Sequence, residues 1–178
     1  SDIGGVRLNL LSVSEVGEAF DSIISLVKRA QPTAEIDGVS VQPMAKPGVE
    51  VIIGLTVDPQ FGQIVMFGLG GIAVEVLKDV AFRLAPLTPR DANDLIREIR
   101  SFPLLTGHRG QPAVALVALE QMVLQVSALA EAYPEIKELD LNPIFAYADG
   151  CLAVDARIVL HPEGTVTAPR PISTATRA

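Results

Sequence analysis

The stretch Ile136-Lys137-Glu138-Leu139-Asp140-Leu141-Asn142-Pro143-Ile144-Phe145-Ala146-Tyr147 is followed, across Ala148-Asp149-Gly150, by a second β-rich run over 152–160. Two such runs joined by a short Asp-Gly turn read as an antiparallel hairpin. Side chains alternate along a strand, so Asp140 and Asn142 share one face, and Asp155 stands on the partner strand. Asn142 and Asp155 lie at comparable distances from the turn, which makes them a plausible cross-strand pair. Leu139, Leu141, Ile144, Val154 and Ile158 make the opposite face apolar, and burial is expected there. Three oxygen-bearing side chains can then converge on one point. One carboxylate and one amide, completed by water and phosphate oxygens, form an octahedral set suited to Mg²⁺ held against a nucleotide. Acidic residues beside a hairpin are also often simply solvated, and the residues alone leave both readings open.

Upstream, Gly38 to Ala45 alternates as a strand, Pro47-Gly48 is a turn, and Val49 to Val57 resumes as a strongly apolar strand. After Asp58-Pro59-Gln60-Phe61-Gly62, the run Gln63 to Phe67 reads as the antiparallel partner, giving a three-stranded meander. Gly68, Gly70 and Gly71 interrupt the pattern before Ile72 to Leu77, and Ala81 to Ala85 is a further strand. Glycine this dense in a sheet implies a bulge or close approach of backbone to something else. Two helices follow. Pro89 at the first helical position and Asp91 in the first turn open one through Ile99, and Val114 to Ala132 forms the other with a wide apolar stripe. Nearer the start, Val6 to Leu10 alternates as a short strand, and Ser14 caps a helix whose stripe is Val16, Ala19, Phe20, Ile23, Ile24 and Val27. From His161 the chain reads as a tail or linker.

The 178 residues are 49% hydrophobic and 20% charged, the size and balance of one ordinary globular domain. A net charge of −7 leaves no broad basic field for phosphate backbones, and 4% aromatics supply few stacking platforms, so nucleic acid is excluded as a partner class. Mean hydropathy is +0.38, yet every apolar run is cut short of the ~20 residues that span a bilayer. Without a signal-like start, the expected setting is cytoplasmic, with no membrane partner. A single cysteine, Cys151, excludes an intrachain disulfide and a thiolate cage, and it reads as a small buried hydrophobe.

The succession Pro47-Gly48-Val49-Glu50-Val51-Ile52-Ile53-Gly54, Asp58-Pro59-Gln60-Phe61-Gly62, Phe67-Gly68-Leu69-Gly70-Gly71-Ile72 with Glu75, Glu138-Leu139-Asp140-Leu141-Asn142-Pro143 and Val154-Asp155-Ala156 resembles the ATP-grasp domain of the NDP-forming acyl-CoA synthetases. The resemblance covers roughly residues 1 to 160 and implies an α/β ATP-grasp fold. Residues 1–44 would be part of a small lid lobe, and 45–160 an antiparallel-rich sheet backed by helices, with nucleotide between the two; 161–178 would be the tail. It implies that Asn142 and Asp155 bind Mg²⁺, that Asp140 is catalytic and faces a phosphohistidine loop, and that Val41-Gln42-Pro43-Met44 holds adenine and ribose. Glu50 would be a further nucleotide contact. Gln42 stands where the distant succinyl-CoA enzyme has a glutamate. Gly4-Gly5 matches the end of a phosphate-covering glycine loop whose lysine does not precede it here, which implies a piece of a longer protein. His108 and Arg109 are read as loop residues, and the phosphohistidine and the CoA-binding domain or subunit would lie elsewhere.

The implied activity is ATP- and Mg-dependent synthesis of an acyl-CoA from a carboxylic acid, with release of ADP; an oligomer is compatible with it. The alternative is a regulatory nucleotide-binding module fused to an acetyltransferase domain.

Overall fold

A computed structural model describes residues 4–71, 78–107 and 112–162. The chain divides into two compact units, Ser1–Lys46 and Pro47–Ala178.

The first unit is organised by helix α1, Val13–Ala30. Its cap is Ser12 rather than Ser14: the Ser12 hydroxyl accepts the Glu15 N–H at 3.2 Å, and the Glu15 carboxylate reaches back to the Leu11 N–H at 2.7 Å. The Ser-x-x-Glu spacing satisfies orphan donors at both ends of the turn, which Ser14 cannot do. Lys28 and Arg29 oppose the negative end of the dipole. Neither Val6–Leu10 nor Gly38–Ala45 is a strand. Alternation marks an extended backbone, but a strand also needs a neighbour for its N–H and C=O groups. No ladder partner exists for these segments among the described residues, and Val6, Leu8, Val41 and Met44 stand exposed.

Among its described residues the second unit is a six-stranded antiparallel sheet backed by two helices. Its strands are β1 (Val49–Asp58), β2 (Gly62–Leu69), β3 (Val80–Leu84), β4 (Ile136–Tyr147), β5 (Gly150–Ala153) and β6 (Ala156–Leu160). They run in the order β3-β2-β1-β4-β5, with β6 also paired to β4. The meander is therefore β1-β2-β3, one strand later than the sequence pattern suggests. The β1–β2 turn is set by Asp58, whose Oδ1 accepts the N–H groups of Gln60 at 2.7 Å and Phe61 at 3.0 Å before Gly62 takes φ +84°. The expected run Ile72–Leu77 lies outside the described residues.

Helix α2, Pro89–Glu98, opens on a capping box in which Thr88 and Asp91 exchange bonds. Helix α3 is Leu116–Ala132, two residues shorter than the pattern because the Val114 and Ala115 N–H groups bond the carbonyls of Leu105 and Tyr147. Both helices lie on the sheet face that carries Val51, Ile53 and Leu55 of β1, Val65 and Phe67 of β2, and Leu139, Ile144 and Ala146 of β4. Against these pack Ala92, Leu95 and Ile96 of α2 and Leu119, Val123, Val126 and Ala130 of α3. Each large aliphatic buried here contributes roughly 1.5–3 kcal/mol. A short 3₁₀ turn, Phe102–Leu104, follows α2.

β4 occupies the middle of the sheet, and its phase shifts twice. Against β1 the register jumps so that Val51 faces Ile144 and Ile53 faces Leu141, which leaves one extra residue in β4 at Asn142-Pro143. A second irregularity lies between Ile136 and Glu138. Bulges of this kind let residues at odd spacing share a face, so Ile136, Leu139, Ile144 and Ala146 are all buried. The expected burial of Val154 and Ile158 is not realised: they are 38% and 51% exposed. Val154 falls in the break between β5 and β6, and Ile158 lies on an edge strand, in an open apolar groove with Leu129 and Tyr133.

Candidate functional site

The β4 bulge and the strand break at Asp155 occur side by side. The Asn142 N–H donates to the Asp155 carbonyl at 3.2 Å, and the Val154 N–H donates to the Pro143 carbonyl at 2.9 Å. These two bonds replace the ladder where β5 gives way to β6, and they set Asn142 and Asp155 at directly neighbouring backbone positions. Both side chains are exposed. The Asp155 carboxylate is oriented by its Oδ1, which accepts the Ala156 N–H at 2.9 Å.

Asp140 is half-buried and pairs in register with Gly54 of β1 on one side and Arg157 of β6 on the other. Its neighbours Leu139 and Leu141 turn toward α2 and α3, so Asp140 belongs to the opposite face of the sheet. Among the described residues no group of three or more His, Cys, Asp or Glu side chains is arranged to hold a metal ion. Asn142 and Asp155 bring an amide and a carboxylate, both hard oxygen groups, to neighbouring backbone positions.

Glu50 lies on the same sheet face as Asp140, one strand over, since it pairs with Phe145 while Gly54 pairs with Asp140. The glycines expected to mark close approach do so around it. The Gly70 N–H donates to the Glu50 carbonyl at 2.6 Å, and a Cβ on Gly70 would stand 2.9 Å from the Glu50 Cβ. Gly71 has φ +64°, and a Cβ there would stand 3.1 Å from Glu50 Oε2. Gly68 packs under β3, where a Cβ would meet Val80 Cγ1 at 2.8 Å.

The other expected contacts belong to the first unit. Gly4 has φ +74°, and its carbonyl accepts from Arg7 at 3.4 Å; Gly5 has open space at its Cα. Val41, Gln42, Pro43 and Met44 are extended and exposed, with Gln42 Nε2 donating to Ser40 Oγ at 3.3 Å. Glu75, His108 and Arg109 lie outside the described residues. Cys151 is half-buried, and burial pushes its thiol pKa up, so it is no activated nucleophile.

One charged group escaped the sequence reading. Asp79 is only 8% exposed. Burial raises its pKa, but the Ser101 hydroxyl, the N–H groups of Arg100 and Ser101 and the Arg100 charge together hold it below the usual carboxylate value. Its partners lie more than twenty residues away in sequence, so no local spacing announces it.

A family model described as an ATP-grasp domain matches residues 1–160. The β subunit of an ADP-forming acetate–CoA ligase I from Pyrococcus furiosus is 51% identical over 160 residues, which are 90% of this chain and 69% of that subunit. Among solved structures, acetyl-coenzyme A synthetase 1 of Ca. Korarchaeum cryptofilum, in complex with coenzyme A and Ca-AMPCP, superposes with TM-score 0.87 at 50% identity, covering 90% of this chain and 70% of that one. The same enzyme with coenzyme A and Mg-AMPPCP, its phosphohistidine segment pointing toward the nucleotide site, gives TM-score 0.79 at 45% identity, covering 90% and 70%. The expected fold and family are thereby borne out: the chain belongs to the ATP-grasp family, in the branch of the ADP-forming acyl-CoA synthetases.

Proposed function

We propose that this chain is the nucleotide-binding, phosphoryl-transferring segment of an enzyme that joins a carboxylic acid to coenzyme A while ATP becomes ADP and phosphate, through a phosphohistidine carried on another domain or subunit. The observation that carries the reading is the alignment of the Asn142-Pro143 bulge with the strand break at Asp155, which puts these two oxygen-bearing residues at neighbouring backbone positions in the sheet that also carries Asp140 and Glu50. The relative bound to Mg-AMPPCP, with a phosphohistidine segment aimed at its nucleotide, supports it.

In this scheme Asn142 and Asp155 would hold Mg²⁺, which would supply positive charge against the nucleotide phosphates. Asp140, fixed between two neighbouring strands, accepts a hydrogen bond from the incoming imidazole and so fixes its tautomer and aim. Glu50 is assigned to the nucleotide, as are Gly4, Gly5, Val41, Gln42 and Met44 from the resemblance. Among the described residues no helix is long and apolar enough to cross a membrane, and the cytoplasm is the setting we assign.

The test is product analysis of the complete enzyme in which this chain functions. Acid-dependent and CoA-dependent formation of ADP is expected, and Asp140→Asn should slow it by about two orders of magnitude or more, as for loss of a carboxylate that fixes the tautomer and aim of a reacting imidazole. AMP and pyrophosphate as products would refute the reading, and nucleotide binding without turnover would point to a sensor.

A further inference from the structure

Asp79 is a buried carboxylate that the proposed chemistry does not use. It accepts the Arg100 N–H at 2.8 Å, the Ser101 N–H at 2.7 Å and the Ser101 hydroxyl. These donors sit just past the end of α2, where Ile99 turns to extended backbone at φ −65° and ψ 140°. A carboxylate beside the negative end of a helix has the unfavourable sign for the dipole, and burial costs it solvation. A neutral amide has one acceptor oxygen, so only a carboxylate can take all three donors with both of its oxygens. What the charge adds is a shorter, stronger and stiffer clasp.

On its other side Asp79 leads directly into β3. Val80 pairs with Gly68, and a Cβ on Gly68 would stand 3.1 Å from the Asp79 carbonyl oxygen. Two residues further on, Gly70 bonds the Glu50 carbonyl at 2.6 Å, and Gly71 lies against the Glu50 carboxylate. Close contacts therefore run without a gap from the end of α2, through Asp79 and Gly68, to Glu50.

We propose that Asp79 is a positioning residue for Glu50: by clasping the amides of Arg100 and Ser101 it holds the Gly68–Gly71 backbone against Glu50 and sets where that carboxylate is presented. The consequence for ligand binding rests on the assignment of Glu50 to the nucleotide. Two measurements on this chain separate the ideas. The first is amide hydrogen exchange in Asp79→Asn and in the milder Ser101→Ala. The Gly70 amide should exchange about tenfold faster or more, while amides at the centre of the β1–β4 ladder, such as Leu55 and Leu139, keep their protection. Unchanged exchange at Gly70, or equal acceleration everywhere, overturns the proposal.

The second is calorimetric titration with Mg-ADP of wild type, Asp79→Asn, Glu50→Gln and the double variant. If Asp79 acts through Glu50, the double variant should bind within about twofold of Glu50→Gln alone. Multiplying losses would overturn the route through Glu50. A wild type that does not bind, or a Glu50→Gln that binds normally, would overturn the nucleotide assignment instead, and Gly70 exchange would still decide whether Asp79 holds the backbone.

Discussion

Replacing Gly70 by alanine is the sharpest perturbation the fold offers, because what the new methyl meets cannot move away. The added Cβ would stand 2.9 Å from Glu50 Cβ, 3.1 Å from its carbonyl carbon and 3.2 Å from its carbonyl oxygen. Glu50 is held in β1 by its pairing with Phe145 of β4, so relief requires β2 to peel from β1 and lengthen the 2.6 Å Gly70–Glu50 bond. Overpacking of this kind costs about 1–3 kcal/mol, and weakening one backbone hydrogen bond adds about 1 kcal/mol. The total, roughly 2–4 kcal/mol, should lower Tm by about 5–15 °C for a domain of this size. Gly150→Ala is the matched control, since nothing lies within 4 Å of a Cβ there, and it should stay within about 0.5 kcal/mol of wild type. Urea unfolding of the three proteins, checked for equal m-values, reads the difference. A Gly70→Ala protein as stable as Gly150→Ala would refute the close packing of the glycine pair on Glu50.

Two more outcomes follow from buried polar groups. Asp79 has a folded pKa below its unfolded value of 3.8, so its stabilisation is present above about pH 4 and is lost as pH falls through the folded pKa; urea midpoints from pH 6 downward should fall more steeply for wild type than for Asp79→Asn. Ser127 is 2% exposed, and its hydroxyl accepts the Leu87 N–H at 2.9 Å, so Ser127→Ala should cost about 1–3 kcal/mol in the same assay by orphaning that amide.

The elements with their own local signals were legible in the sequence: the Asp58 turn, the Pro89 helix start, and the apolar runs of β1 and α3. The backbone adjacency of Asn142 and Asp155 was legible as well, because both sit in a hairpin whose turn fixes which residues oppose. Partner-dependent features were not. Val6–Leu10 and Gly38–Ala45 alternate as strands do, yet alternation says nothing of whether a neighbour is present to bond them. Ile158 alternates with the core residues but lies on an edge, so its period is right and its burial wrong. The Asn142-Pro143 bulge had a trace in the shift from Leu139 and Leu141 to Ile144 and Ala146, a change of parity that a regular strand cannot make. Asp79 had none, since its donors come from the far end of α2.

Asn142 and Asp155 are proposed to hold a divalent cation against nucleotide phosphates, and a thermal-shift titration of this chain with ADP, with and without Mg²⁺, tests this directly. A ligand at ten times its dissociation constant stabilises by about 1.4 kcal/mol, a rise of roughly 3–5 °C in Tm. Wild type should show that rise only with Mg²⁺ present, and Asp155→Ala, folded and otherwise as stable, should show none. An equal Mg²⁺-dependent rise in both proteins would contradict the assignment.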